Sequence, residues 1–302
     1  MRLLTRSDFD GLVCGALLTH LGIVDDFLFV HPKDIQDGRI PVTKNDVLAN
    51  VPYVKECGLW FEHHSSELER SGGEPWPNGI AGIAPSCARV VYEYYGGQDA
   101  LGHFSQLLDS VDRMDAAQLT SEEILNPQGW ILLGYIMDPR TGLGRFRDFT
   151  ISNIELMKEL MYAFIDKSLD EILALPDVQE RVEVYREQAS LFIKMVKEKT
   201  RTDGPVIISD LRGVETINAG NRFIVYTLFP EQNISLWIVD GRNRENCVIA
   251  VGHSIVNRSS TIDVGSMLIQ YGGGGHRQAG TCQVDYAAAD AVIQEIVALL
   301  KG

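Results

Sequence analysis

The segment GLWFEHHSSE, residues 58–67, joins a short apolar run to a sudden cluster of polar side chains. Its first four residues have the composition of a buried strand. The strand pattern ends in Glu62, His63 and His64, which two serines follow. A strand that carries a carboxylate and two imidazoles to its C-terminal end predicts a functional edge in this part of the fold.

Apolar strand patterns alternate with helical patterns through the first half of the chain. Beside residues 58–61, strands are predicted around Leu3 and Leu4, in FLFV and in DVLAN. Helices are predicted in DFDGLVCGALLTHLG and in SCARVVYEYYG, with Ser86 as an N-cap. This alternation predicts a mostly parallel sheet with flanking helices. Ligands collect at the carboxyl ends of the strands in such sheets, which is where these polar clusters fall.

The second half of the chain begins with a helical stretch and continues into a mixed pattern. Apolar residues recur at helical spacing after Pro176, where Asp177 is a candidate cap. Strands are then predicted in VIISD, RFIVYTLF, ISLWIVD and CVIAVG, and helices at 263–271 and 286–300. The predicted fold is therefore a two-domain α/β protein. It has an N-terminal domain at 1–150, a helical connector at 151–203 and a smaller C-terminal α/β domain at 204–302.

Charge and composition restrict the class of function. The 302 residues carry 27 Lys plus Arg against 41 Asp plus Glu, a net charge of −14. This charge argues against a broad basic face for duplex nucleic acid. The five cysteines are scattered without a CxxC pair, which suits free thiols in a reducing compartment. The apolar run WILLGYIM is far shorter than the ~20 residues of a membrane span, so we expect a cytoplasmic protein without a membrane partner.

Two acidic and histidine motifs in the first half could carry chemistry. SDFDG places Asp8 and Asp10 two residues apart at a strand end, where two carboxylates either hold a divalent cation or cap the following helix. In EHHSSE we expect the adjacent imidazoles of His63 and His64 to face opposite sides, one for a metal and one for a substrate. A structural histidine pair at the rim of the sheet is the alternative.

A glycine-rich motif stands near the C-terminus. YGGGGHRQAG, residues 271–280, places four glycines before a predicted helix start, where free backbone N–H groups can surround a phosphate. His276 and Arg277 add donors, and the upstream Asn257, Arg258 and Ser259 could add hydrogen bonds. A flexible turn is the alternative for the glycine run.

These motifs, in this order and spacing, resemble the DHH phosphoesterase superfamily, in the branch with a DHH-associated C-terminal domain. That branch includes oligoribonucleases, cyclic-dinucleotide phosphodiesterases and exopolyphosphatase-related proteins. The resemblance covers nearly the whole chain. It implies two lobes facing a cleft, with a site for one or two divalent cations, manganese above all, in the first lobe. It also implies that the glycine motif of the second lobe binds the substrate.

The resemblance also implies roles for individual residues. His63 would be a metal ligand and a catalytic residue, and His64 would orient the substrate or the attacking hydroxide. Asp115 is the best match to a later aspartate ligand, with Asp112 as close competitor and Asp138 as a third candidate. The remaining implied residues are the metal ligands Asp8 and Asp10 and the substrate-binding residues Asn257, Arg258, Gly273, Gly274, Gly275 and His276.

Three positions depart from the family pattern. Leu4 stands where many members have a histidine, Asn50 where a bridging aspartate is expected, and Glu62 in place of the name-giving aspartate. The leading hypothesis is a metal-dependent phosphoesterase for a small phosphorylated substrate, such as a short single-stranded oligonucleotide or a nucleotide. A nucleotide-binding regulatory protein with a degraded metal site and an exopolyphosphatase-like hydrolase are the alternatives. The helices at 151–200 could also support a homodimer, although an apolar stripe more often packs within its own chain.

Overall fold

The computed structural model describes residues 1–64, 67 and 78–302, except for the side chain of Arg242. Ser65 and Ser66 of the EHHSSE motif therefore lie outside the described residues. The chain divides into two compact units. The first comprises Met1–Leu119 and Pro127–Tyr185, and the second comprises Thr120–Asn126 and Arg186–Gly302.

The first unit is built on a parallel sheet of five short strands, which confirms the predicted parallel sheet and adds a strand at Gly79–Ala81 that was not predicted. Their order across the sheet is β2-β1-β3-β4-β5, and every neighbouring pair is parallel. The strands are β1 (Arg2–Thr5), β2 (Asp26–Phe29), β3 (Asp46–Ala49), β4 (Leu59–Glu62) and β5 (Gly79–Ala81). Because all strands run the same way, their C-terminal ends lie along one edge.

Helices surround this sheet, and side-chain caps fix where several of them start. The helices of the first unit are α1 (Phe9–His20), α2 (Pro32–Gln36), α3 (Cys87–Tyr94), α4 (Gly97–Leu101), α5 (Ser105–Asp115), α7 (Gly129–Met137), α8 (Asn153–Asp166) and α9 (Leu169–Leu173). Asp8 caps α1 by accepting a hydrogen bond from the Gly11 N–H. Ser86 caps α3 by accepting one from the Arg89 N–H, so the predicted Ser86 cap is confirmed.

The core of the first unit explains why the central strands are nearly continuous in apolar residues. Leu4, Leu48 and Trp60, from β1, β3 and β4, are fully buried in one cluster. A parallel sheet covered on both faces buries successive side chains of a strand, which removes the alternation of an exposed sheet. Leu4 is thus a core residue.

The second unit contains a mixed sheet of six strands in the order β10-β11-β9-β8-β7-β6. Only β7 and β8 pair in parallel; the other neighbours in this sheet are antiparallel. Its strands are β6 (Thr200–Asp203), β7 (Val206–Asp210), β8 (Ile234–Asp240), β9 (Asn246–His253), β10 (Gly274–His276) and β11 (Ala279–Asp285). Its helices include α6 (Ser121–Leu125), α11 (Ile224–Leu228), α12 (Val264–Ile269) and α13 (Ala289–Leu300).

Three local predictions for the second half are wrong. RFIVYTLF is not a strand but contains helix α11, which buries Ile224, Val225 and Tyr226. The glycine run does not lead into a helix, because β10 pairs with β11 as an antiparallel ladder. Asp177 is no cap, since helix α10 (Pro176–Lys199) begins one residue earlier and holds Asp177 in its first turn.

The two units also divide the chain at other residues than the domain boundaries predicted at 150 and 203. Helices α8 and α9 belong to the first unit, and α10 is divided between the two units after Tyr185. A buried arginine, Arg181, ties α10 to the start of α8 by donating hydrogen bonds to the Asn153 side chain and to the Ile151 carbonyl. Within the described ranges, no helix is long and apolar enough to cross a bilayer.

Candidate active site

The C-terminal edge of the first sheet holds a group of buried polar atoms whose bonding capacity is unused. Thr5 ends β1, Asn50 follows β3, and His63 follows β4, and these three strands are neighbours. Thr5 Oγ1, Asn50 Oδ1 and His63 Nε2 are all buried and make no hydrogen bond within the described residues. Because an unsatisfied buried polar atom costs about 1–3 kcal/mol, three at one edge indicate the place of a ligand.

Asp10 is fixed at this edge by the start of a helix. Its Oδ1 accepts a 2.7 Å hydrogen bond from the Ala88 N–H, and its Oδ2 accepts one of 3.0 Å from the Cys87 N–H. These donors are the free N–H groups at the beginning of α3, which favour a carboxylate. The next residue, Gly11, lets the start of α1 lie against the backbone that follows β1, because a Cβ there would lie 2.2 Å from the Arg6 carbonyl oxygen.

His63 brings its unpaired nitrogen against two carboxylates. Its Nε2 lies 3.2 Å from Asp115 Oδ2 and 3.8 Å from Asp10 Oδ2. Its Nδ1 lies 3.1 Å from the Ala84 carbonyl oxygen, which can only accept a hydrogen bond. When the ring is neutral, as a metal ligand must be, its proton is therefore on Nδ1 and Nε2 presents a lone pair. A backbone carbonyl that fixes the tautomer in this way is typical of histidines that ligate metals.

The two carboxylates carry an electrostatic cost that a cation would relieve. Burial raises the pKa of Asp10 well above its ordinary value, and the charges of Asp115 and Asp8 raise it further. Burial likewise raises the pKa of Asp115, against the opposing effect of His63. One oxygen or nitrogen from each of Asp10, His63 and Asp115 lies within 4.8 Å of the others. The donor set and the orphaned His63 nitrogen fit one divalent cation.

Asp8 is engaged differently from Asp10. Its Oδ1 accepts hydrogen bonds from the Gly11 N–H and from Asn50 Nδ2, at 3.0 and 3.2 Å. Its Oδ2 lies 3.1 Å from Arg6 Nε. The capping alternative for this residue is therefore present in the structure, and Asn50 serves as a hydrogen-bond donor to it. Asn50 is held in the left-handed region, at φ 58°, which asparagine tolerates.

Glu62 organises the second histidine of the motif. Its Oε1 accepts hydrogen bonds from the His63 N–H, the His64 N–H and the His64 ring at Nδ1, the last at 2.6 Å. Burial raises the pKa of Glu62, but these hydrogen bonds lower it more, so the carboxylate is ionised. The expectation that the two rings face opposite sides is wrong, because their centroids are only 4.2 Å apart.

The structure separates the three candidates for the later aspartate. Asp115, at the end of α5, is the one that adjoins His63. Asp112 accepts hydrogen bonds from Ser86 Oγ at 2.6 Å and from Arg89 Nε at 2.8 Å. Asp138 binds Arg140 Nε at 2.8 Å. Neither Asp112 nor Asp138 belongs to a potential ligand group within the described part of the chain.

The glycine motif of the second unit forms a tightly packed hairpin. A Cβ at Gly273 would lie 2.3 Å from the Thr281 carbonyl oxygen, and one at Gly275 would lie 2.3 Å from that of Ala279. Gly275 also has φ 153°, outside the range of other residues. At Gly274, by contrast, a Cβ would meet nothing within 4 Å.

The other residues assigned to substrate binding lie in the same unit. Asn257 Nδ2 donates to the Glu231 carbonyl at 2.8 Å, and Arg258 Nε donates to the Ile255 carbonyl at 3.1 Å. Both side chains thus brace their own surroundings. His276 is exposed on β10. Thr5 and Arg140 are not among the site residues predicted from the sequence; a signal for Arg140 is the D-x-R spacing directly after the apolar run WILLGYIM.

Comparison with known proteins identifies the family. No family model matches the chain. The chain is 45% identical to the pGpG-specific phosphodiesterase PggH from Vibrio cholerae, covers 99% of its own length and 98% of that chain, and superposes with a TM-score of 0.85. An exopolyphosphatase-related protein from Bacteroides fragilis is 12% identical, with 99% and 92% coverage and a TM-score of 0.53.

This chain covers only part of the length of two further relatives. The Mn2+ complex of RecJ from Thermus thermophilus is 13% identical, with 99% and 51% coverage and a TM-score of 0.55. The A-adding tRNA nucleotidyltransferase of Aquifex aeolicus is 26% identical over 225 residues, and the chain spans about a quarter of that relative's length. The structures with 12–13% identity share the fold alone. The full-length relation at 45% identity, together with the ordered motifs, shows that the chain belongs to the DHH phosphoesterase superfamily.

Proposed function

We propose that this protein is a metal-dependent phosphodiesterase that hydrolyses pGpG, with water, to two molecules of GMP. The observation that carries the proposal is the 45% identity to a pGpG-specific phosphodiesterase over nearly the full length of both chains. The polar edge of the first sheet supports it, because it gathers the donor atoms that phosphodiester hydrolysis requires. The net charge of −14 favours a short substrate over a long duplex.

Asp10, His63 and Asp115 would hold the divalent cation, and we propose Mn2+. Carboxylate and imidazole donors suit Mn2+, Fe2+ and Co2+ about equally, and we choose Mn2+ because RecJ, which shares the fold, has been solved with manganese bound. When bound, such a cation lowers the pKa of a water molecule and offsets negative charge on the phosphate. In this proposal Ala84 fixes the tautomer of His63, and the start of α3 fixes Asp10, so the protein pre-orients both donors.

His64 is our candidate for proton transfer. The ionised Glu62 at its Nδ1 keeps a proton on that nitrogen, so the exchange of a proton with substrate or water takes place at Nε2. Gly274 has an open side where a phosphate oxygen could approach the backbone. We therefore propose that Gly273–Gly275, His276, Asn257 and Arg258 bind the nucleotide.

Turnover of a substrate panel tests the proposal. Purified protein with Mn2+ should convert pGpG to GMP. Ion-exchange chromatography separates the two nucleotides and measures the conversion. We expect kcat/KM to exceed that for a five-nucleotide RNA by about tenfold or more. Asp10→Asn should abolish turnover. Asp109→Asn is the control, because it makes the same substitution at a side chain that is 70% exposed and belongs to no potential ligand group within the described residues. Absence of pGpG hydrolysis by the wild type, or full activity of Asp10→Asn, would contradict the proposal.

A nucleotide-binding protein without efficient hydrolysis is the second candidate. The motivating observations are that Leu4 is fully buried in the core and that Asn50 donates to Asp8 rather than adding a negative charge. This candidate predicts pGpG binding without Mn2+-stimulated turnover, which the same panel measures. A homodimer, the exclusion of duplex nucleic acid and a cytoplasmic location stay predictions from the sequence.

A further inference from the structure

Arg140 lies directly after α7, in a short 3-10 turn at Pro139–Thr141 that Asp138 caps. The Asp138 carboxylate accepts hydrogen bonds from the Arg140 backbone N–H and from Arg140 Nε, both at 2.8 Å. Its Oδ2 also lies 2.7 Å from Arg140 Nη2. One edge of the guanidinium is therefore held firmly against one carboxylate, which restricts the direction of the whole side chain.

The other edge of the Arg140 guanidinium is available. Among the described residues, Nη1 makes no hydrogen bond or ion pair, and the side chain is 42% exposed. Burial lowers the pKa of Arg140, but the charges of Asp138, Asp8 and Asp115 raise it far more. The helix that precedes Arg140 packs against the end of α5 next to Asp115, because a Cβ at Gly134 would lie 2.3 Å from the Met114 sulfur. The cationic head therefore interacts electrostatically with the acidic cluster at the end of the first sheet.

The second unit contains the same Asp-x-Arg motif, but there both edges of the guanidinium make hydrogen bonds. In Asp210–Leu211–Arg212 the arginine backbone N–H and Nε donate to Asp210 Oδ1 at 3.1 and 3.0 Å, and Nη2 donates to Oδ2 at 2.7 Å. Here Nη1 also donates to Asp290 at 2.7 Å, so both edges of the guanidinium serve the fold. The two motifs differ mainly in that Arg140 keeps donors unused.

We infer that Arg140 contacts a phosphate oxygen of the substrate beside the Asp10–His63–Asp115 cation site, and that Asp138 positions Arg140 for this contact. The inference rests on the proposed phosphodiesterase function. A guanidinium presents paired N–H donors in a plane that matches phosphate oxygens. Because Asp138 already uses both its oxygens on Arg140, its part in the site is to orient the arginine.

Binding of GMP, a phosphate monoester, tests the inference independently of turnover. GMP would be titrated calorimetrically into the Mn2+-loaded wild type to measure its affinity. The same titration would be made with Arg140→Ala, Arg140→Lys, Asp138→Asn and the control Arg212→Ala. We expect Arg140→Ala to weaken GMP binding by about tenfold or more, because a charge-assisted bond to phosphate is lost. Arg140→Lys should recover part of the affinity, and Asp138→Asn should show a smaller loss of the same sign.

Two further readouts separate substrate contact from a structural role. The Mn2+ affinity of Arg140→Ala should equal or exceed that of the wild type, because the variant removes a positive charge and no metal ligand. Its melting temperature should fall, because Asp138 loses its hydrogen bonds to the guanidinium. Arg212→Ala should lower the melting temperature and leave GMP affinity unchanged. GMP binding by Arg140→Ala equal to that of the wild type, loss of Mn2+ affinity in that variant, or no GMP binding by the wild type would each overturn the inference. Arginine-dependent GMP binding without pGpG hydrolysis would refute the proposed substrate alone.

Discussion

The polar edge of the first sheet and the glycine hairpin of the second unit both have the composition of a ligand site, yet their physics differs. At the edge, Thr5, Asn50 and His63 bury polar atoms that make no hydrogen bond within the described residues. In the hairpin, Gly273 and Gly275 lack side chains because neighbouring backbone atoms fill that space. Unused hydrogen-bonding capacity therefore indicates a site more directly than a motif's residue types do.

Replacing one histidine in each region should give the largest difference in catalytic efficiency toward pGpG. His63→Ala removes the nitrogen that faces Asp10 and Asp115, and we expect kcat/KM for pGpG to fall by about 1,000-fold or more. His276→Ala removes an exposed side chain on β10 and should act mainly on KM, by about tenfold or less. Steady-state kinetics with Mn2+ measures both. Equal losses in the two variants would erase the distinction between the regions.

Two adjacent glycines sharpen the comparison within the hairpin. Gly275→Ala forces an L side chain into φ 153° and against the Ala279 carbonyl, so we expect a loss of about 3 kcal/mol or more in stability. Gly274→Ala should change stability by no more than about 0.5 kcal/mol, because its side is open. Urea unfolding followed by circular dichroism measures both. Comparable destabilisation would show that packing does not explain this glycine run.

A smaller effect should appear in the metal-free protein at the sheet edge. Desolvation raises the pKa of Asp115, whose side chain is 25% exposed, so ionisation of this carboxyl costs a small, solvent-screened amount of folding free energy. The stability it contributes is present below its unfolded-state pKa of about 4 and is lost as the pH rises through its raised folded-state pKa. In EDTA at pH 8, Asp115→Asn should therefore raise the melting temperature by about 2 °C, and less at pH 4.

Asp109→Asn provides the matched comparison for that measurement. Asp109 lies on the same helix with an exposed side chain, paired with Arg89 at the surface. Its replacement should leave the pH dependence of the melting temperature unchanged. A melting temperature of Asp115→Asn at or below that of the metal-free wild type would show that this carboxylate is not strained in the folded protein.

Four of the five strands of the first sheet could be predicted from the sequence because their signals are local; β5 (Gly79–Ala81) was not predicted. Apolar runs of about four residues, bounded by polar clusters and helical patterns, define buried parallel strands. The same alternation places Asp10 and His63 at one edge, since parallel strands end together. The Ser86 cap could be predicted because it involves only the Ser86 side chain and the N–H of Arg89, three residues later.

The remaining features depend on partners distant in sequence. Asp112 and Asp115 lie three residues apart on α5, and only Arg89, from another helix, shows that Asp112 is engaged in an ion pair. RFIVYTLF has strand composition, but its apolar side chains are buried by forming α11. The glycine run is a hairpin because β11 supplies its partner backbone.

Calorimetric titration of metal-free protein with Mn2+ tests the central claim most directly. We predict that the wild type and Asp109→Asn bind Mn2+ with the same affinity. His63→Ala should bind at least about 100-fold more weakly, because a nitrogen ligand is lost from the site formed with Asp10 and Asp115. Wild-type protein that binds no Mn2+, or His63→Ala with undiminished affinity, would contradict the assignment of this edge as the metal site.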